Sequence, residues 1–255
     1  MKLDINSDIG EGFGRYTVAD DAALMEVVSS VNVACGFHAG DPTIMATTVA
    51  TAKAHGLGLG AHPGYADLIG FGRREMPASA AEMEYALAYQ LGAMQGIAAL
   101  AGYPVTHISY HAAFGNKATA SRELADVLSR AIKTIDKDLV VYSMPDTEVE
   151  RSARAVGLRT MQLFLADRAY REDGSLVPRG LPGAVLHSGA DVEARVRRFI
   201  EDSKVVTIDG KTIPMRARGI LVHSDTPGSA ELARLVRQTV EAAGVTVAPA
   251  HTFAE

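Results

Sequence analysis

The stretch NVACGFHAGDP, Asn32 to Pro42, joins a short apolar run to the start of a helix. Upstream, Val27, Val28, Val31 and Val33 read as a buried strand. Downstream, Asp41 supplies an N-cap carboxylate and Pro42 occupies the first helical position. Between them stand the thiol of Cys35, the imidazole of His38 and several small residues. Polar groups crowded between a strand end and a helix start are what a barrel enzyme uses to build its site. Four junctions of this kind carry a histidine: His38, His62, His111 and His223.

Working outward, strand-like and helix-like segments alternate along the whole chain. Apolar runs fall at residues 3–6, 30–34, 58–61, 106–110, 139–143, 159–163 and 219–222. Helical patterns occupy 43–55, 80–101, 120–135, 147–156, 190–202 and 229–243. Ser79 with Glu82 forms a capping box, and Gly56, Gly157 and Gly244 read as helix-terminating glycines. Residues 205–215, centred on Asp209-Gly210, read as a β-hairpin that leaves the main pattern. Repeated βα units mean a parallel sheet, either open or closed. An open sheet feeds its ligand from a few loops at a switch point. Here polar clusters follow nearly every strand, which favours closure into an α/β, TIM-like barrel of about seven strands.

The chain has 255 residues, 47% of them apolar, enough for one large core, and residues 1–255 carry no linker or low-complexity tract. A single barrel domain is therefore expected. The net charge of -5 argues against a nucleic-acid partner. No apolar run reaches the roughly 18 residues of a membrane span, and the acidic, polar start MKLDINSDIGEG is unlike a signal peptide. One cysteine excludes an internal disulfide and fits a reducing, cytoplasmic setting. The absence of Trp disfavours a stacking platform for sugars or bases.

The first strand reads DINSDIGEGFG. Alternation places Asp4, Asn6 and Asp8 on one face, with Leu3 and Ile5 on the other. In a barrel those polar groups face the interior, with Asp8 at the mouth; the plain alternative is an Asx turn before Gly10. GEGFG lacks the dinucleotide spacing and no Walker A sequence is present. Asp8, His62 and His111 suit a divalent ion, with His223 as a further donor, but no HxH or HExxH pair occurs, so spacing leaves a metal open. Asp41 and Asp225 each precede a proline-containing turn and read equally well as caps. LADRAYREDGSLVPR, with Asp167, Arg168 and Arg179, reads as a lid able to clamp an anion, as do Arg73 and Arg74 in GFGRR. Cys35 reads as an inert buried thiol, and His107, His187 and His251 as surface or packing residues.

Together these motifs resemble the LamB/YcsF family, which includes the A subunit of bacterial 5-oxoprolinase. The matching stretches are DINSDIGEGFG, SSVNVACGFHAGDPTIM, GLGLGAHPGYADLIGFGRR, YQLGA, LADRAYREDGSLVPR and VHSDTPG, from residue 4 to residue 228. The resemblance implies a (β/α)7 barrel of the glycoside hydrolase/deacetylase type. It implies ATP-dependent opening of a lactam, 5-oxoproline to glutamate or a related cyclic amide, in company with separate B and C subunits. By match it carries over Asp8, Glu11, His38, Asp41, His62, Arg73, His111, Asn116, Asp167, Arg168, Arg179, His223 and Asp225. Asn6 joins the substrate-binding candidates from its place on the first strand. The chain departs from the family pattern at Ser109, Tyr110, Gly115 and Leu163. A lysine at 109 and a glutamate at 163 are the usual pair, and their joint loss predicts a less charged pocket. Two competing readings are a metal-dependent deacetylase or amidohydrolase that needs no ATP, and a non-catalytic binding subunit.

Overall fold

The computed structural model describes residues 1–255. In chain order its elements are β1 (Lys2–Ile9), α1 (Asp21–Met25), β2 (Ser30–Ala34), α2 (Pro42–His55), β3 (Gly58–His62) and α3 (Ala80–Leu100). There follow β4 (His107–Ile108), α4 (Ala112–Ala120), α5 (Arg122–Ile135), β5 (Val140–Ser143), α6 (Glu148–Ala155) and β6 (Arg159–Leu165). The chain ends with α7 (Gly189–Asp202), β7 (Lys204–Val206), β8 (Thr212–Pro214), β9 (Gly219–Leu221), α8 (Ser229–Ala242), β10 (Thr246–Val247) and a single 3-10 turn (Ala250–Thr252). Strands β1 to β6 and β9 pair in parallel with their sequence neighbours, and β9 returns to β1, with Asp4 opposite Gly219 and Asn6 opposite Leu221. The result is a closed seven-stranded parallel barrel. The short β10 adds to the N-terminal end of β1, beside Lys2 and Leu3. Strands β7 and β8 form the antiparallel hairpin expected around Asp209-Gly210. No helix is long and apolar enough to cross a membrane.

Every residue of β1 from Leu3 to Ile9 is buried, because both faces are covered. Leu3, Ile5 and Ile9 belong to the main apolar core, while Asp4, Asn6 and Asp8 alternate with them. The inward face is polar and fully paired. Asp4 accepts from Ser29 and Ser30 hydroxyls at 2.8 and 2.6 Å, and from Asn6 and Tyr142 at 3.0 Å each. Burial still raises its pKa against those four bonds. Above it, Asn32 Nδ2 donates to Asn6 Oδ1 and Asp8 Oδ1, each at 3.0 Å, and His107 Nε2–H donates to Asn32 Oδ1 at 2.9 Å. The His107 ring stacks on Tyr142 with centroids 4.2 Å apart. It sits against Gly60, where a Cβ would lie 2.2 Å from its Nε2.

Most expected elements form at the expected places, including the capping box of α3 and the left-handed Gly56 after α2. Three differ. Val27 and Val28 are buried in the turn before β2, which starts at Ser30. The helical pattern at 120–135 forms α5, capped by the Ser121 hydroxyl, but a further helix, α4, precedes it over Ala112–Ala120. Helix α4, AAFGNKATA, lacks apolar periodicity and holds a glycine, so its sequence carries little helical signal. The short α1, capped by Asp20, has no counterpart among the expected helices.

Candidate active site

Parallel strands deliver their ends and following residues to one end of a barrel, and the last residue of β3 with the loops after β1, β2 and β4 brings Glu11, His38, His62 and His111 together. One ligand-type atom from each lies within 4.8 Å of all the others. All four side chains are buried. His38 Nε2 lies 3.1 Å from Glu11 Oε1, and His111 Nδ1 lies 3.4 Å from the same oxygen. His62 Nε2 lies 3.5 Å from Asp8 Oδ1 and 3.0 Å from His111 Nδ1. The rings of His38 and His111 stack at 3.7 Å.

Backbone carbonyls fix two of these rings. His62 Nδ1–H donates to the carbonyl of Ser109, and His111 Nε2–H to that of Phe71, both at 2.7 Å. Phe71 holds this carbonyl with a left-handed backbone, φ 53°, and Ala112, directly after His111, has φ 34°. Non-glycine residues in that region cost of order 1–3 kcal/mol each, and they cluster where a site needs them. Gly72 belongs to the same constraint: a Cβ there would meet His38 Cβ at 2.6 Å and His111 Cδ2 at 2.8 Å.

Burial, the neighbouring imidazoles and nearby Arg73 hold His38 and His111 well below the ordinary imidazole pKa. Burial also lowers His62, although Asp8 and the Ser109 carbonyl oppose it. The three rings are therefore neutral near pH 7. Glu11 moves the other way: burial first, then the charges of Asp8 and Asp225, push its carboxyl well above the usual range.

A second group stands across the mouth. His223 Nδ1 lies 2.9 Å from both oxygens of Asp167. Burial would raise Asp167, but the His223 ring and Arg179 outweigh it and hold it below the usual carboxylate value. Asp225 pairs with Arg73 at 2.5 Å and Arg179 at 3.8 Å, and these cations likewise overcome its desolvation. Ser224 Oγ donates to Glu11 Oε2 at 3.3 Å and joins this group to the histidine cluster. A cleft of about 360 Å³ opens beside it, between residues 17–20 and the start of α8.

Several expected site residues are placed otherwise. Asp41 caps α2: its carboxylate accepts from the backbone N–H of Thr43, Ile44 and Gly14, which leaves it outside the cluster. Asn116 is exposed on α4 and touches none of the site groups. Arg168 is buried and donates to the carbonyls of Val177 and Ala184, so it ties down the 167–187 loop instead of facing an anion. Arg74 pairs with Asp67. Asn6 lies inside the barrel with its amide engaged by Asp4, Asn32 and the Ile220 carbonyl. The metal-type cluster contains Glu11 and His38 where the spacing pointed to Asp8, because Asp8 stands to the side of His62 under the hold of Asn32. Cys35 is buried, and burial pushes its thiol to about 12, consistent with an inert role.

The sequence reading missed Asn32 and misjudged His107. His107 is a barrel-interior residue whose pKa burial lowers to about 3. An asparagine between Val31 and Val33 on an otherwise apolar strand was the available signal for Asn32. Of the four positions that depart from the family pattern, Ser109 is buried beside His62, and Leu163 packs in the core against Gly219.

A closed parallel barrel with its titratable groups collected at the carboxyl mouth belongs to the class of TIM-like barrels that do their chemistry between loop ends. Its sequence is more specific. Residues 3–255 match the model of the LamB/YcsF family, and the chain belongs to that family. It is 57% identical to one of the 5-oxoprolinase A subunits of Bradyrhizobium diazoefficiens, over 98% of each chain. It is 54% identical to the 5-oxoprolinase A subunit of Pectobacterium atrosepticum, over 98% of this chain and 97% of that one. Among solved structures, the lactam utilization protein of Thermus thermophilus superposes with a TM-score of 0.91 at 39% identity, covering 97% of this chain and 99% of that one.

Proposed function

We propose that this chain is the A subunit of a 5-oxoprolinase-like hydrolase, a single barrel domain acting in the cytoplasm with separate B and C subunits. It opens 5-oxoproline, or a closely related lactam, at the expense of ATP. The observation that carries this reading is the meeting of Asp8, Glu11 and three neutral histidines with Arg73 and Arg179 at one barrel mouth. The names of the relatives supply the substrate class.

An unstrained lactam carbonyl is a poor electrophile. Transfer of the γ-phosphoryl group of ATP to the carbonyl oxygen releases ADP and activates the carbon. Water then adds to that carbon, the ring nitrogen takes a proton and leaves as the amine, and an acyl phosphate remains. A second water releases phosphate and the free carboxylate. Such a sequence needs a base for water, an acid for the departing nitrogen and cations for the phosphoryl group. Asp8, oriented by Asn32, suits the base, and neutral His38, 3.1 Å from Glu11, suits the proton relay. Arg73 and Arg179 suit the phosphoryl group, with Asp225 holding both until it arrives. His223, oriented by Asp167, completes the mouth.

The test is a side-by-side assay of a cyclic amide panel, with the chain alone and with its B and C partners, with and without ATP. The expected result is ATP-dependent opening of 5-oxoproline or a close analogue only when the partners are present. ATP-independent release of acetate or ammonia by the chain alone supports the deacetylase or amidohydrolase reading instead. Ligand binding without turnover in any combination supports a binding subunit. The lack of a cation at Ser109, buried beside His62, favours a lactam with a smaller anionic demand than 5-oxoproline, which the same panel reads out.

A further inference from the structure

The two carbonyl-anchored histidines carry a consequence for what lies between them. A carbonyl oxygen only accepts, so the proton of His62 is on Nδ1 and that of His111 is on Nε2. The nitrogens left over, His62 Nε2 and His111 Nδ1, are therefore both lone pairs, and they face each other at 3.0 Å. Neither can donate to the other. Two buried lone pairs at this distance repel unless an electron-poor centre sits at their meeting point. Two carboxyl oxygens flank the same nitrogens: Glu11 Oε1 at 3.4 Å from His111 Nδ1, and Asp8 Oδ1 at 3.5 Å from His62 Nε2.

We propose that His62 Nε2, His111 Nδ1 and the Glu11 carboxylate hold a resident divalent transition-metal ion, with His38 as the group that orients Glu11. Two neutral imidazoles and one carboxylate match the donor preference of zinc, cobalt, iron or manganese, whereas magnesium takes mostly oxygen. This ion is thus distinct from the magnesium that accompanies a nucleotide. A separation of 3.0 Å between the two nitrogens fits neighbouring ligands about 2.1 Å from one ion. The outer support is in place: carbonyls fix both ring tautomers, and His38 Nε2 lies 3.1 Å from Glu11 Oε1. The rival occupant is a shared proton, which the nitrogen-15 spectrum of metal-free protein distinguishes.

Metal binding is measured on the purified full chain without lactam, nucleotide or partner, so its outcome is separable from that of the lactam reading. Chelator-stripped protein is titrated by calorimetry with zinc alone and with magnesium alone, and cobalt binding is followed by its visible spectrum. The expected result is one zinc per chain, bound at least about 100-fold more tightly than magnesium. His62→Ala and His111→Ala abolish the stoichiometric site. Glu11→Gln weakens it by more than about tenfold, and His38→Gln weakens it by about tenfold with stoichiometry retained. If an alanine variant does not fold, the wild-type nitrogen-15 spectrum decides instead. It is expected to show protons on His62 Nδ1 and His111 Nε2 only, with the other two nitrogens shifting on addition of zinc. Substoichiometric binding at micromolar zinc, unchanged binding in a folded His62→Ala variant, or a proton on His62 Nε2 in metal-free protein would overturn the proposal.

Discussion

His62 and His111 combine two jobs that pull in different directions. Each is a chemical group at the mouth, and each is the partner of a backbone carbonyl, that of buried Ser109 or of half-buried Phe71. Their removal is therefore expected to affect stability as well as turnover. His62→Ala and His111→Ala should abolish activity and lower stability by about 1–3 kcal/mol, the cost of leaving a buried acceptor unpaired. Chemical denaturation beside the turnover assay checks both parts; a variant with near-wild-type turnover would remove that histidine from the site. His107 isolates a different property. Its pKa is lowered to about 3 by burial, so the unfolded chain binds a proton below about pH 6.5 that the folded chain refuses. More protons on the unfolded state means that stability rises with pH and is lost as pH falls from 6.5 toward the folded value. Urea unfolding between about pH 6 and 4 should show a slope that His107→Gln reduces by up to about 1.4 kcal/mol per pH unit.

At the level of elements, the question is which charged groups belong to the frame and which to the chemistry. Asp41 belongs to the frame, since its carboxylate satisfies the first turn of α2 and ties in Gly14. Asp41→Ala should cost about 0.5–2 kcal/mol in thermal or denaturant unfolding while leaving kcat within a few-fold of wild type. Loss of turnover without loss of stability would return Asp41 to the site. Arg168 belongs to the loop between β6 and α7, where it holds Val177 and Ala184 and where Arg195 in turn holds the Arg168 and Val206 carbonyls. Arg168→Met should open residues 171–184 to limited proteolysis while the barrel resists, and a loop as protected as wild type would contradict this. These elements are readable in the sequence where a local rule acts alone: the Asp-Pro cap, the Ser79 box and the Asp-Gly hairpin each have a local cause. The local rule makes Asp41 a cap without excluding it as a catalytic carboxylate, and none separates Arg168 from an anion clamp. In both cases the partner is distant in the chain or is a backbone group with no sequence mark. His107 was unreadable for the same reason, because its partner Asn32 is 75 residues away.

For the whole molecule, the alternation of strands and helices was sufficient for a parallel sheet, and the spread of polar residues over nearly all strand ends was sufficient for its closure. The polar filling of the barrel was legible only at β1, where Asp4, Asn6 and Asp8 alternate. Elsewhere it is assembled from single residues of several strands, and no one segment announces it. That filling also limits how the sequence can drift. Gly60 and His107 occupy one volume, so an alanine at 60 runs into the imidazole, and shrinking His107 removes the three atoms that its Cβ would meet first. Gly60→Ala alone should therefore be among the most damaging single substitutions in the chain, yet add little further loss in a His107→Ala background. A double-mutant cycle of unfolding free energies measures this, and additive costs would refute it. If the coupling holds, descendants of this barrel can exchange the pair in one temporal order only. The histidine must go first, and the glycine becomes free to vary only afterwards. The interior column then acts as a ratchet on the lineage, in which the history of a position matters as much as its chemistry.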